Sequence, residues 1–408
     1  MNTRMQTQDD TLPLAGITVV DLTRVLAGPY CTRLLADMGA RIIKVERPGA
    51  GDETRAIMHQ LEPGRSDQST YFTRVNAGKE SVAVNLSSAD GLRVVLDLAE
   101  HADVFIENFS PGVVARLGCD YPAVSAVKPD IVYCSISGFG QTGPWRQRPA
   151  FAHTTNAISG LMYLEQGDEA SPRASNLQAA DVLAATHAAA AIVGALFRRC
   201  RTKQGAHLDV SMLEALIAAD SVTFPSVLNG GNEHGNPRPG MMVHRIGDRH
   251  LALQTAGGTP LWKRLIALMQ RPELAQDPRF ATSAARVQNW NALRELLSQW
   301  LDGYASVDAA LAALETARIP CAPVLRPAEV IASRHLAERA FFPSVPHPAA
   351  GSVRVTASPY RLDGHPVHPR GPAPHRVGEH SRAILASLLG YGEERIAQLL
   401  ASGAIDAP

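Results

Sequence analysis

The sequence predicts an α/β protein: a large, doubly wound, mostly parallel-sheet domain, discontinuous in the chain, with a smaller α+β domain. Three observations carry this. Short β-rich runs alternate with amphipathic helical runs in units of about thirty residues, the spacing that βαβ crossovers need. The 408 residues exceed what one compact core usually supports. The pattern also changes after a breaker cluster, NGGNEHGNPRPG at 229–240, which no regular element tolerates.

The elements follow in order. GITVVDL (Gly16–Leu22) reads as a strand, and GPYCTRLLADMGA as a helix with Pro29 at its first position and Gly39 at its C-cap. RIIKVE (Arg41–Glu46) closes the first βαβ unit, which implies a right-handed crossover. ESVAVNL, DVFIEN and DIVYCSISGFG repeat the strand signal. ADGLRVVLDLAEHA, GVVARLG and YPAVSAVKP supply the helices between them. An Ala-rich helix runs through 177–197, then RTKQGAHLDVSMLEAL reads as turn, strand and helix. IGDRHLALQTA is a hairpin strand, and TPLWKRLIALMQ, NWNALRELLSQWLDGY and SVDAALAALETARI are amphipathic helices of their own block. The Pro-, His- and Gly-rich stretch Phe341–Pro374 reads as extended, and EHSRAILASLLGYGEERIAQLLASGAI as helical. The expected division is therefore 14–227 for the first part of the large domain, 228–325 for the small domain, and 326–408 for a return segment completing the large one.

Composition removes several functions. Thirty-nine basic and 39 acidic residues leave a formal net charge of zero, so no basic excess exists to neutralise nucleic-acid phosphates. The longest apolar run, 179–197, is interrupted by Asp181, Thr186 and His187 and reads as a buried helix and not as a membrane span. The polar start MNTRMQTQDDTLP shows no secretory pattern, and the five cysteines (Cys31, Cys119, Cys134, Cys200, Cys321) are scattered without CxxC spacing. Reduced thiols in a cytoplasmic protein are the expectation.

Few constellations carry chemistry. Gly28 stands in the first strand-to-helix loop and Glu46 ends the second strand, as in a dinucleotide site, but TRVLAGPYC holds one glycine where GxGxxG needs three. No Walker motif occurs. His153, His187, His207 and His234 are isolated, so no metal site is expected. Asp181 is the anomaly, one carboxylate in a run of small apolar residues, and desolvating it is costly unless something pairs with it or uses it. An N-cap for the helix and a catalytic carboxylate are both open on periodicity alone.

Seven stretches in order resemble the class III CoA-transferases, the family of formyl-CoA and carnitine CoA-transferases, whose superfamily includes the α-methylacyl-CoA racemases. They are LAGITVVDLTRVLAGPYCTRLLADMGARIIKVERPGAGDETR, NAGKESVAVNL, DVFIENFSPGVVARLG, GFGQTGP, the Asp181 segment with GALFRRCRTKQGAHLDVSMLEA, IPCAPV and GEHSRAILASLLG. The resemblance spans Leu14 to about Ile405.

The resemblance implies a transferase that moves CoA between carboxylic acids, with Asp181 as nucleophile, an aspartyl anhydride and then an aspartyl-CoA thioester. It implies CoA contacts at Val25, Leu26, Ala27, Arg47, Asn108, Phe109 and Arg116, with Lys79 and Arg55 as further phosphate candidates. Oxyanion donors are expected from the glycine loops at Gly138 and Gly140 and at Gly257 and Gly258. No permanent cofactor is implied, CoA thioester being a substrate, and the partner is a second copy of the chain in an interlocked homodimer. Racemases of the superfamily carry a catalytic histidine in a His-Asp pair where this chain has Phe151 and Ala152, which disfavours racemase chemistry. Leu26 replaces the amide of formyl-CoA transferases, pointing to substrates other than the smallest diacids: small dicarboxylic or branched acids. Arg146, Arg148 and Arg173 are candidates for a distal carboxylate.

Overall fold

The computed structural model describes residues 11–166, 171–231, 239–255 and 258–408. The chain forms two compact units. The larger comprises residues up to Leu161, Ala174–Ser221 and Arg334–Pro408; the smaller comprises Met162–Arg173 and Val222–Ser333.

The larger unit is built on a seven-stranded sheet. Its labelled strands are β1 (Thr18–Asp21), β2 (Arg41–Glu46), β3 (Glu80–Val84), β4 (Val104–Glu107), β5 (Val132–Ser137) and β6 (Ala206–Ser211). Their order is β3-β2-β1-β4-β5-β6, all parallel, and the C-terminal strand Ile405–Asp406 adds antiparallel beside β3. The order reverses between β1 and β4. Loops after those strands diverge to opposite sides, leaving a crevice at the carboxyl edge, where ligands bind in such sheets.

The helices used below are α1 (Ala27–Asp37), α2 (Thr70–Asn76), α3 (Ala89–Glu100), α4 (Val113–Leu117), α5 (Tyr121–Val127), α6 (Ala152–Ile158), α7 (Ala179–Thr202) and α8 (Met212–Ile217). One sheet face packs on α1, α7 and α8 through Val19, Ile42, Val104, Val132, Cys134 and Ile136; the other packs on α3 and the C-terminal helices through Val20, Ile43, Phe105 and Tyr133. Successive strand residues supply opposite faces, so both-face burial accounts for the nearly unbroken apolar strands. α7 is long and apolar enough to cross a membrane, but it lies along the sheet with Ala180, Ala184, Ala188 and Ile192 buried at helical spacing. Alanines on that stripe let α1 and α7 approach closely.

Differences from expectation are local. α1 starts at Ala27, so Pro29 is its third residue. The stretch 341–374 is not merely extended: it holds two short hairpins, Ser344–His347 with Gly351–Arg354 and Arg361–Leu362 with His365–Pro366. The smaller unit has a three-stranded antiparallel sheet (Met241–Ile246, Arg249–Gln254, Cys321–Pro323), and its core is made of Leu251, Trp262, Leu265, Phe280, Leu297 and Leu314.

Candidate active site

The loop after β1 is braced from two sides. The Asn108 carboxamide accepts the Arg24 N–H at 2.9 Å and donates to the Arg24 carbonyl at 2.8 Å, tying the loops after β1 and β4 across the switch point. The Val25 N–H reaches Asp52 Oδ1 at 3.4 Å, and Lys44 holds the other oxygen of Asp52 at 2.9 Å while donating to the Thr23 carbonyl at 2.8 Å. Val25 itself has φ +68°, a left-handed conformation that is strained for a β-branched residue. Such strain persists only where the surroundings over-determine the backbone, as these bonds do. Gly28 is required by contact: a Cβ there would stand 2.2 Å from the Thr23 Cβ.

This bracing presents the start of α1 to Asp181. The helix cap of α7 is Gln178, not Asp181, which is the third residue of the first turn. Its half-buried carboxylate faces the backbone N–H groups of Ala27 and of Asp181 itself. Burial outweighs those donors and pushes the carboxyl up to about 6. Asp181 is therefore mostly ionised at neutral pH yet poorly solvated, the condition in which a carboxylate is a competent nucleophile.

Three cavities lie at this edge of the sheet, two of them lined by Asp181. The largest, about 450 Å³, lies at the carboxyl ends of β1, β2 and β3 and is lined by Arg24, Arg47, Ala50, Gly51, Ser87 and Phe109 among others. A second, about 230 Å³, shares Arg24, Glu53 and Phe109 with the first and adds Val25, Ala27, Asn108, Gly138, Arg146, Arg148 and Asp181. A third, about 290 Å³, reaches Asp181 past Val25, Leu26, Tyr71, Phe151, His153 and Gln178. Asp181 and Val25 thus stand on the wall common to the second and third.

Most of the expected CoA-contact residues come together here: Arg47, Val25, Leu26, Ala27, Asn108 and Phe109 line one or more of these cavities. Three of the expected cations do not. Lys79 is wholly buried, bonded to Asn76 Oδ1 at 2.8 Å, the Pro29 carbonyl at 2.9 Å and Asp21 at 3.2 Å, and cannot reach a phosphate. Its ammonium is pushed down to about 8, burial outweighing the Asp21 charge. Arg55 is likewise buried, clamped on Glu46 through two bonds of 2.8 Å. That clamp also engages the acid a dinucleotide ribose would need. Arg116 is exposed on α4, outside the linings of these cavities. Asn108 lines the second cavity, but its carboxamide is engaged with Arg24.

Of the glycine loops, Gly138 joins the Asp181 cavity, whereas Gly140 (φ +84°) lies by Asp209, whose carboxylate accepts the neighbouring Gln141 N–H at 3.0 Å. Gly257 falls outside the described residues; Gly258 caps the helix Thr259–Leu268 in the smaller unit, as Arg173 also belongs to that unit. His153 shares the third cavity with Asp181.

Three groups escaped sequence reasoning. Tyr71 lines the third cavity, and its phenol is pushed up to about 12 by burial and then by the Asp181 charge, so it is a standing hydrogen-bond donor. Glu107, buried at the end of β4 and pushed up to about 7 by burial, accepts the Phe109 N–H at 2.8 Å and so shapes that turn. Ser137 lies beside Gly138, its buried hydroxyl without a hydrogen-bond partner among the described residues. Tyr71 sits inside an ordinary amphipathic pattern, so no sequence signal marks it. Glu107 ends a strand at the carboxyl edge, a position that does invite attention.

The fold is that of an α/β enzyme with a half-buried carboxylate, backbone N–H groups and cavities gathered at one crevice of the sheet edge. The chain belongs to CoA-transferase family III, whose model matches residues 14–381. It is similar to succinyl-CoA:glutarate CoA-transferase of Mus musculus (34% identity, 98% of this chain and 91% of the relative). It is also similar to formyl-CoA:oxalate CoA-transferase of Streptomyces coelicolor (32%, 96% and 99%). Among solved structures, a CAIB/BAIF family protein from Brucella suis superposes with a TM-score of 0.78 at 30% identity, covering 92% of this chain and 99% of that one.

Proposed function

We propose that this CoA-transferase moves CoA from an acyl-CoA to a small dicarboxylic or branched acid through covalent intermediates on Asp181. One Asp181 oxygen attacks the thioester carbonyl carbon; the carbonyl π pair moves to oxygen, then returns as the C–S bond breaks and CoA leaves as thiolate. The resulting mixed anhydride is attacked by that thiolate at the Asp181 carbonyl, releasing the first acid as carboxylate and leaving an aspartyl-CoA thioester. An acceptor carboxylate then repeats the sequence in reverse. No net proton is transferred, which suits a site whose nucleophile needs desolvation more than a base.

The observation that carries this reading is the position of Asp181: half-buried, unpaired by any cation among the described residues, and opening onto cavities that run to the Arg47 region. The 450 Å³ cavity suits the nucleotide end of CoA, with Arg47 for phosphate and Phe109 against the pantetheine path. The Gly138 N–H is the favoured oxyanion donor on the cavity wall. The substrates for which the relatives are named, succinyl-CoA with glutarate and formyl-CoA with oxalate, support a dicarboxylic acid. An interlocked homodimer belongs to the same reading, the return segment after Phe341 being the part suited to wrapping.

The test is trapping. With succinyl-CoA present, hydroxylamine should convert the intermediate to a hydroxamate located by mass on Asp181. Adduct elsewhere, or CoA transfer that survives Asp181→Ala, refutes the mechanism. A second reading, acyl-CoA racemase or isomerase chemistry, gains from His153 facing the Asp181 cavity. It predicts deuterium uptake at the α-carbon of an acyl-CoA in heavy water with no acceptor acid, and its absence removes that reading.

A further inference from the structure

The 230 Å³ cavity holds an imbalance of charge. Among the described residues Arg24, Arg146 and Arg148 line it with two carboxylates, Glu53 and Asp181. Arg24 pairs with Glu53 at 3.3 Å, and among the described residues neither Arg146 nor Arg148 has a carboxylate within ion-pair distance. Arg148 is nonetheless held in place. Its guanidinium lies over the Trp145 ring at 4.9 Å, its backbone N–H donates to the Trp145 carbonyl at 2.9 Å in a turn, and Trp145 packs edge-on against Phe139 at 6.0 Å. Stacking on an indole face leaves the in-plane N–H fork free, the geometry that takes a carboxylate bidentately.

We infer that Arg148, assisted by Arg146, holds the distal carboxylate of a dicarboxylic substrate while its other carboxyl reacts at Asp181. The inference rests on the reading of Asp181 given above. A diacid entering this cavity brings a second negative charge towards a poorly solvated carboxylate, and the repulsion in such a medium is large unless a cation lies next to the incoming charge. Two unpaired guanidinium groups on the same wall supply that cation. The phosphates of CoA are a poorer fit, because the pantetheine arm separates them from the thioester, and the cavity that holds the nucleophile receives the acyl end.

The test uses binding to the CoA-loaded protein, so that it does not depend on choosing the right donor. Succinate, glutarate and adipate are each titrated against the monocarboxylic acid of equal carbon number. At least one diacid should bind about 30-fold more tightly than its monoacid, the ratio expected for a charge-assisted bidentate contact. Arg148→Gln should abolish that ratio while leaving the monoacid and CoA affinities and the thermal midpoint unchanged, and Arg148→Lys should restore part of it. Equal binding of diacid and monoacid by the natural protein overturns the inference, as does an Arg148→Gln effect shared by the monoacid. A loss of CoA affinity in that variant overturns it too, assigning Arg148 to a phosphate. If diacid discrimination is found but no adduct forms on Asp181, the failure lies with the mechanism and not with Arg148.

Discussion

Replacing Asp181 by asparagine separates what the carboxylate does for chemistry from what it costs the fold. Burial raises this carboxyl from its ordinary 3.8 to about 6. At about 1.36 kcal/mol per pH unit, that gap corresponds to roughly 3 kcal/mol, and solvent access through the cavities reduces it to roughly 1–2 kcal/mol. The folded state binds this proton more tightly than the unfolded chain does. The anion's cost is therefore absent below about pH 4, develops between pH 4 and 6, and is complete above 6. Asn has no charge to desolvate, and its carbonyl oxygen still accepts the Ala27 N–H. Asp181→Asn should thus be more stable than the natural protein at pH 8, by a few degrees in thermal midpoint, with the difference vanishing near pH 4. CoA transfer should be lost. In the natural protein, the rate of adduct formation from succinyl-CoA should fall about tenfold per pH unit below 6, as the nucleophile is protonated. Thermal unfolding of both proteins from pH 4 to 8, with rapid-quench adduct assays, measures all of this. A variant less stable at pH 8, a pH-independent difference, or an acid limb near pH 4 would refute the reasoning.

Three further outcomes are expected. Tyr71→Phe removes a neutral donor beside Asp181 and should lower kcat for transfer by about tenfold with little change in the KM of the acyl-CoA, checked by steady-state kinetics. Gly138→Ala would place a Cβ 2.1 Å from the Ala150 Cβ, so the loop carrying Arg148 must move, and diacid affinity and kcat should fall together. Lys79→Met leaves the buried Asp21 without its direct partner and should cost about 3–5 kcal/mol by urea denaturation while leaving CoA affinity unaltered in the folded fraction. A change in CoA affinity there would restore Lys79 to the phosphate site.

The alternation of strands and helices was readable because strands buried on both faces leave near-continuous apolar runs, as at RIIKVE and DIVYCSIS, which match β2 and β5 closely. Asp181 stood out as well, one carboxylate in an alanine stripe, although cap and catalyst were both open until the family resemblance implied a nucleophile. Family resemblance then pointed to the loops around Val25, Asn108 and Gly138, and these do meet at one crevice. What escaped were pairings. Lys79 and Arg55 look like ligand cations in the sequence, but their partners, Asp21 and Glu46, lie 58 and 9 residues away and bury them. Tyr71 and His153 both come to Asp181 from segments more than 25 residues earlier in the chain.

The division has a physical cause. Periodicity, turn residues and an isolated acid are local properties, set by φ/ψ preferences and by which side chains water rejects, so the sequence alone determined the sheet, its helices and the candidate nucleophile. Which charges are neutralised inside and which are left facing a cavity depends on the strand order, here the reversal between β1 and β4. Electrostatic roles are set by distance and desolvation, and only the folded chain supplies those.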